Sequence, residues 1–413
     1  MTKASFFLLL AVFLVFLWIF LPATRDYPYY QDDVGNFERV SRIASKPLAA
    51  WEPDYRYERR FPFHFYFLFM ERMLFGFGAP PYFFVLLLLH FANSLFVLRL
   101  SRVLGGGGVT PLLAALLFLV SASFYQQLIF IHATQRVLCV FLVFVALFSW
   151  IEFLRRRRFL FLLGALLFQV LALLTMEDAV VFPFLTALLT LKLTPAGEER
   201  RRILWRSFGL FFLVDVAILL PLLQPFFHSP HVKEKFVGLS PLPQNLLSLA
   251  EMLFRPLLVP DRGLLPATPF PEDLVRLVPS LFLLLLLGLF FSRAGRFRFF
   301  MERISWPLVF TSLVWIGISV SPFLFQPLGF EHANRYLYLP MAGFSLLFGV
   351  IAAGLIETLL ATRSRKGFIF CCLLLAYLVT LNLRSTVYHY QRYVQYANQH
   401  EKQDYYDRVK SLK

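Results

Sequence analysis

The chain has 413 residues, 58% hydrophobic and only 16% charged, with 51 phenylalanines. Soluble domains carry roughly 25% charge; together with a mean hydropathy of +0.65 this excludes both a soluble cytosolic enzyme and a disordered chain. The formal net charge is +15, which in a soluble protein would suggest nucleic acid, but basic residues also mark the cytoplasmic loops of membrane proteins.

A membrane span needs about 20 predominantly apolar residues. The first candidate, residues 5–22, is a long run with no clear small-residue cleavage site after it, and reads as a retained helix rather than a signal peptide. Further spans are expected at 82–100, 110–130, 137–154, 159–175, 179–193, 207–224, 277–292, 306–323, 336–357 and 367–383, giving about eleven helices in an all-α polytopic fold. Cys139, Cys371 and Cys372 lie in these apolar runs and indicate neither a disulfide framework nor a metal site.

Charge orients the spans. With a cytoplasmic N-terminus, the inner segments hold Lys3, Arg99, Arg102, Arg155 to Arg158, Lys192, Arg200 to Arg202 and Arg206. They continue with Arg293, Arg296, Arg298, Arg303, Arg363, Arg365 and Lys366, whereas the short outer turns hold only Arg136 and Arg335. That satisfies the positive-inside rule and accounts for the basic balance as a topology signal. The expected organisation is a transmembrane module over 1–384, with long outer loops at 23–81 and 225–276, followed by an external amphipathic tail over 385–413.

The first outer loop carries Asp32-Asp33 about ten residues past the first helix. Adjacent carboxylates repel, which raises one pKa, so one can serve as a general base while the other binds a cation or a donor group; the bland alternative is a solvated turn. The segment RYERRFPFH, with Arg60 and His64, offers arginine forks for an anionic headgroup, or else an interfacial anchor within an aromatic belt. His90 and Asn93 share a helix face and suit either a site or a helix–helix hydrogen bond.

Three short outer turns carry ionisable groups: His132 to Arg136 (HATQR), Glu177 with Asp178, and Glu331 to Tyr336 with Arg335. Such groups are costly at membrane depth and usually line a site. The set is expected to converge with Asp32 and Asp33 on one external cavity. Asp215, inside an expected span, is either functional or paired within the bundle.

These features resemble the integral-membrane glycosyltransferases of the GT-C class, nearest the protein O-mannosyltransferase-like branch and its tetratricopeptide-associated relatives. The acidic pair in the first outer loop matches Asp32-Asp33. The apolar-His-x-x-Asn-x-x-Leu helix is similar to the stretch from His90 to Leu95, and the arginine before the fourth helix corresponds to Arg136. Two positions depart from the pattern: Met176-Glu177 stands where a Lys-Glu pair is usual, and Asn334 replaces glutamate in the run ending Arg335-Tyr336-Leu337-Tyr338-Leu339-Pro340.

The resemblance implies a polyprenyl-phosphate-linked sugar as donor and an acceptor (protein, lipid or glycan) entering from outside. It implies inversion at the anomeric carbon, and Asp32 or Asp33 as base, with Asp32 favoured by analogy. Arg136 and Arg335, with Tyr336 beside them, would hold the lipid phosphate, and Glu177 would position the donor or an arginine. It implies no obligatory metal, although a divalent cation is used elsewhere in the class. The absence of any Asn-x-Ser/Thr site points to a bacterial inner membrane. The competing functions are a transporter or flippase of lipid-linked sugars, whose usual internal repeat is not evident here, and a lipid-linked polysaccharide polymerase or ligase.

Overall fold

The computed structural model describes residues 3–27, 31–52, 61–121, 125–228, 242–246, 294–324, 336–361 and 365–400. Among them every regular element is helical. Helix α1 (Lys3–Phe20) leads into a 3-10 turn, Leu21–Asp26. The segment expected as the first outer loop is largely helical over its described residues: α2 (Gln31–Ile43), a 3-10 turn Pro47–Trp51 and α3 (Pro62–Phe75). The bundle continues through α4 (Ala79–Val103), α5 (Thr110–Val120), α6 (Tyr125–Ile129), α7 (Thr134–Arg156), α8 (Phe159–Leu173), α9 (Phe182–Leu193) and α10 (Glu198–His228). After residues 229–293, which the structure describes only over 242–246, come α11 (Ala294–Arg303), α12 (Trp306–Val320), α13 (Tyr338–Ala361) and α14 (Arg365–His400).

Six described helices are long and apolar enough to cross a membrane: Lys3–Phe20, Ala79–Val103, Thr134–Arg156, Glu198–Leu222, Trp306–Phe323 and Tyr338–Ala361. The expected span 277–292 lies outside the described residues. The expected span 110–130 is not one helix. Its first part, α5, stops at Val120, where Ser121 is already extended (ψ 128°), and at 1.5 Å per residue it reaches only about 16 Å, half a bilayer core. Ser121 interrupts the apolar run with a hydroxyl of the kind that competes for backbone hydrogen bonds. At the other end of the chain, α14 runs without a break through residue 384, so the last expected span and the first part of the tail form one helix.

Packing divides the helices into central and peripheral. Helices α7 and α13 are mostly buried, whereas α1 and α10 present large apolar side chains outward, among them Phe7, Trp18, Leu213 and Leu220. An exposed belt of this kind suits contact with lipid tails. Close backbone approach around α13 depends on glycine: a Cβ at Gly349 would sit 2.8 Å from the Thr110 carbonyl oxygen, and one at Gly343 would sit 2.7 Å from the Trp315 ring. Small residues at such crossings let helices pack by van der Waals contact where no water drives them together.

A buried polar knot fixes four helices to one another. His90 on α4 meets the Tyr338 hydroxyl through Nδ1 (2.7 Å) and the Leu119 carbonyl of α5 through Nε2 (2.9 Å). Asn93 Nδ2 donates to the Val137 carbonyl of α7 (3.1 Å) and to the Tyr338 hydroxyl of α13 (3.2 Å). Both ring nitrogens of His90 are thus engaged inside the bundle, in helix–helix hydrogen bonds. Asp215 on α10 is likewise buried and accepts from Gln169 Nε2 of α8 at 2.6 Å.

The two ends of the bundle are built from different sets of charged residues. One carries mixed, largely exposed ion pairs between Arg99 and Glu152, Arg157 and Glu199, and Arg303 and Glu357. The other gathers α2, α3, the start of α7, the turn after α8 and Tyr336, two residues before α13.

Candidate active site

The second of these ends holds Asp33, the turn from His132 to Arg136, Asp178 and Tyr336. Helix α2 starts at Gln31, so Asp32 and Asp33 are its second and third residues. Carboxylates in a first helical turn are stabilised by the unsatisfied N–H groups there. The acidic pair is therefore on a helix, whereas the sequence suggested a loop.

Asp33 is buried and faces inward. Its Oδ1 accepts from the backbone N–H of His132 (2.7 Å) and lies 3.0 Å from His132 Nδ1. Its Oδ2 accepts the Tyr27 hydroxyl at 2.6 Å. With Asp33 Oδ1 as the acceptor, the 3.0 Å contact is met by the His132 tautomer that carries its proton on Nδ1. Tyr27 is itself wedged between Phe83 of α4 (centroids 4.9 Å apart) and Tyr390 of α14 (6.5 Å, near-parallel). The sequence named His132 only as part of its turn and did not name Tyr27; the His132 contact leaves no local signal, because its partners are 99 residues apart, whereas Tyr27 stands six residues before Asp33.

Arg136, in the first turn of α7, is also buried. Its Nε donates to Asp178 Oδ2 at 2.6 Å and its Nη2 to Asp178 Oδ1 at 3.5 Å. The guanidinium carbon lies 4.8 Å above the centre of the Tyr336 ring, which in turn packs on Phe323 at 4.5 Å. Three segments from across the chain are thus tied by one arginine. Gln135 Nε2 adds a bond to the Thr175 carbonyl (2.7 Å), and Phe63 N–H donates to the Leu174 carbonyl (3.1 Å), pinning α3 to the same turn. Asp178 and Glu177 open a 3-10 turn, Glu177–Val181, between α8 and α9.

His64, in the first turn of α3, is 1% exposed, and neither ring nitrogen has a hydrogen-bond partner among the described residues. Burial, reinforced by His132 and Arg39, pushes its pKa down from 6.5 to about 3. It is therefore a neutral hydrogen-bonding group, not a cation for a phosphate. Arg39 of α2 lies over the Phe65 ring at 4.5 Å. Of the remaining candidates, Asp32 is placed on α2 but its side chain is not described, and Arg60 and Arg335 lie outside the described residues.

Two turns along α3, Glu71 is 4% exposed with both oxygens unpartnered among the described residues. Burial raises its pKa from 4.5 to about 8. Between those values the folded state holds a proton that the unfolded state has lost, so this contribution is complete below pH 4.5 and is lost as pH rises through 8. His64 acts in the opposite window, where stability is lost as pH falls below 6.5. From pH 6.5 to 8 Glu71 thus dominates of the two, and stability should fall by about 2 kcal/mol, at roughly 1.4 kcal/mol per unit. Thermal melts of the detergent-solubilised protein should show this decline in wild type and a flat response in Glu71→Gln; an unchanged slope in the variant would contradict it.

No family model matches the chain, and no curated protein matches it. Among solved structures it is similar to ArnT from Cupriavidus metallidurans bound to undecaprenyl phosphate. The two are 15% identical, the alignment covers 95% of this chain and 76% of that one, and the TM-score is 0.45. A superposition that loose assigns neither a fold family nor an activity.

Proposed function

We propose that the chain is an integral-membrane glycosyltransferase of the GT-C kind, nearest the protein O-mannosyltransferase-like branch, using a polyprenyl-phosphate-linked hexose as donor. The observation that carries this reading is the convergence of Asp33, His132, Arg136, Asp178 and Tyr336, from four separated segments, at one end of a bundle of membrane-length helices. Ionisable groups are rare in such surroundings and mark sites.

In this reading that end faces outside, in a bacterial inner membrane, with the N-terminus cytoplasmic and the C-terminus external. A lipid donor reaches the site laterally and the acceptor enters from the aqueous side. The acceptor hydroxyl attacks the anomeric carbon from the face opposite the phosphate, so the product is inverted. The first-loop acidic pair supplies the base function that removes the hydroxyl proton. Negative charge builds on the departing phosphate, which fixed positive charge stabilises; Arg335 and the Arg136–Tyr336 unit fill that role, Arg136 being oriented by Asp178. Glu177 positions the donor. His64, held neutral, hydrogen-bonds hydroxyls. No metal is obligatory in this scheme.

Mass spectrometry of surface glycans and glycoproteins, with and without the gene, tests it. Loss of one hexose-bearing species is expected; identical profiles would contradict the reading.

A further inference from the structure

We propose that His132 is the catalytic residue through which the first-loop acidic pair acts: its Nε2 takes the acceptor proton, and Asp33 is the positioning residue that holds the ring. This deepens the glycosyltransfer reading and rests on it.

The geometry starts with Asp33. Both of its oxygens are already engaged, Oδ1 by two donors on His132 and Oδ2 by the Tyr27 hydroxyl. Its side chain is fully buried, whereas the His132 side chain is 18% exposed. A substrate hydroxyl therefore reaches the imidazole before it reaches the carboxylate. Because Nδ1 carries the proton that points at Asp33, the ring lone pair lies on Nε2, the tautomer a general base needs. The backbone N–H of the same histidine also binds Oδ1 at 2.7 Å, so main chain and ring are clamped to one atom. Phe130 fixes the ring plane by near-parallel stacking at 5.1 Å. Once the imidazole gains a proton, the buried carboxylate stabilises the cation that forms, the division of labour seen in acid–histidine pairs generally.

The step balances without another reagent. The acceptor O–H proton moves to Nε2, the acceptor oxygen bonds to the anomeric carbon, and the carbon–oxygen bond to the lipid phosphate breaks. Its electron pair stays on the phosphate, and the imidazolium returns its proton to water. Among the described residues, the charged and titratable groups near the ring include Asp33 and Tyr27 on one side and His64, itself within electrostatic reach of His132 and Arg39, on the other.

Two measurements on the full-length protein in nanodiscs test this. The first needs no substrate: 15N spectra of histidine-labelled protein, with the His132 signal identified by its loss in His132→Gln. The Nδ1–H tautomer is expected in wild type and should lose its preference in Asp33→Asn; an Nε2–H tautomer in wild type would overturn the proposal. The second is the pH profile of kcat/KM for sugar transfer from a synthetic polyprenyl-phosphate hexose.

In wild type the rate should fall at acid pH with a single protonation. His132→Ala should lower kcat about a hundred- to ten-thousand-fold, abolish that limb, and regain activity with added imidazole, with KM for the donor little changed. An acid limb that persists in His132→Ala and vanishes only in Asp32→Asn would overturn the proposal in favour of direct catalysis by Asp32. A wild-type protein that transfers no sugar would instead defeat the glycosyltransfer reading, and with it the catalytic role of His132. The tautomer spectrum would still decide whether the Asp33–His132 pair exists.

Discussion

Asp33→Asn is expected to remove sugar transfer from a polyprenyl-phosphate donor, lowering kcat by about two to four orders of magnitude. Expression and membrane insertion should be kept. The carboxylate lies where three donors meet, and an amide in its place offers one acceptor oxygen and an NH2 group facing other donors. Some loss of thermal stability should accompany it, about 1–3 kcal/mol for a buried donor left unsatisfied. Asp32→Asn is expected to lose transfer as well, because the neighbouring carboxylate of the pair contributes to the same function. The check is single-turnover transfer, together with thermal melts to separate folding from chemistry. Full activity in both variants would contradict any role for the acidic pair.

The second large effect concerns Arg136. Removing it by Arg136→Ala takes from Asp178, which is 6% exposed, the buried ion pair that holds it. Breaking such a pair costs about 3–5 kcal/mol, and the loss of the guanidinium over Tyr336 adds roughly 1 kcal/mol more. The single variant should therefore melt far below wild type. Replacing both partners with apolar residues of similar volume, Arg136→Met with Asp178→Leu, should restore most of that stability, because the desolvation cost goes with the charges. If Arg136 also serves the donor phosphate, the double variant will fold but not transfer sugar. Thermal melts and donor KM measured on the same preparations separate the two roles. A double variant with wild-type kinetics would show that Arg136 only staples the turn, and one as unstable as Arg136→Ala would contradict the ion-pair account.

The sequence carried the helical architecture well where a run was uninterrupted. Residues 82–100 and 137–154 emerge as α4 and α7, each extended by a few residues. It failed where hydropathy hides a local break: Ser121 ends α5 inside an apolar stretch that a window average passes over. The first outer segment reads as a loop because its helices are short and mixed in polarity, and their stability comes from packing on the bundle rather than from propensity.

At the site, the residue types were legible and their pairings were not. Asp33, Arg136 and Asp178 stand out as charges at membrane depth. That Arg136 bonds a residue 42 positions away, and Asp33 one 99 positions away, is set by helix packing alone. His90 shows the reverse. Its sequence pattern suits a site, but the structure engages both of its nitrogens in the bundle interior.

The most direct test of the central reading is to reconstitute the purified chain in liposomes with a radiolabelled polyprenyl-phosphate hexose and an acceptor extract on the Asp33 side. Released polyprenyl phosphate is then measured against sugar transferred. Equal amounts of free lipid phosphate and transferred hexose, both depending on Asp33, are the predicted result. A donor that stays intact, whether it remains in place or crosses the bilayer whole as a flippase would carry it, would contradict the account.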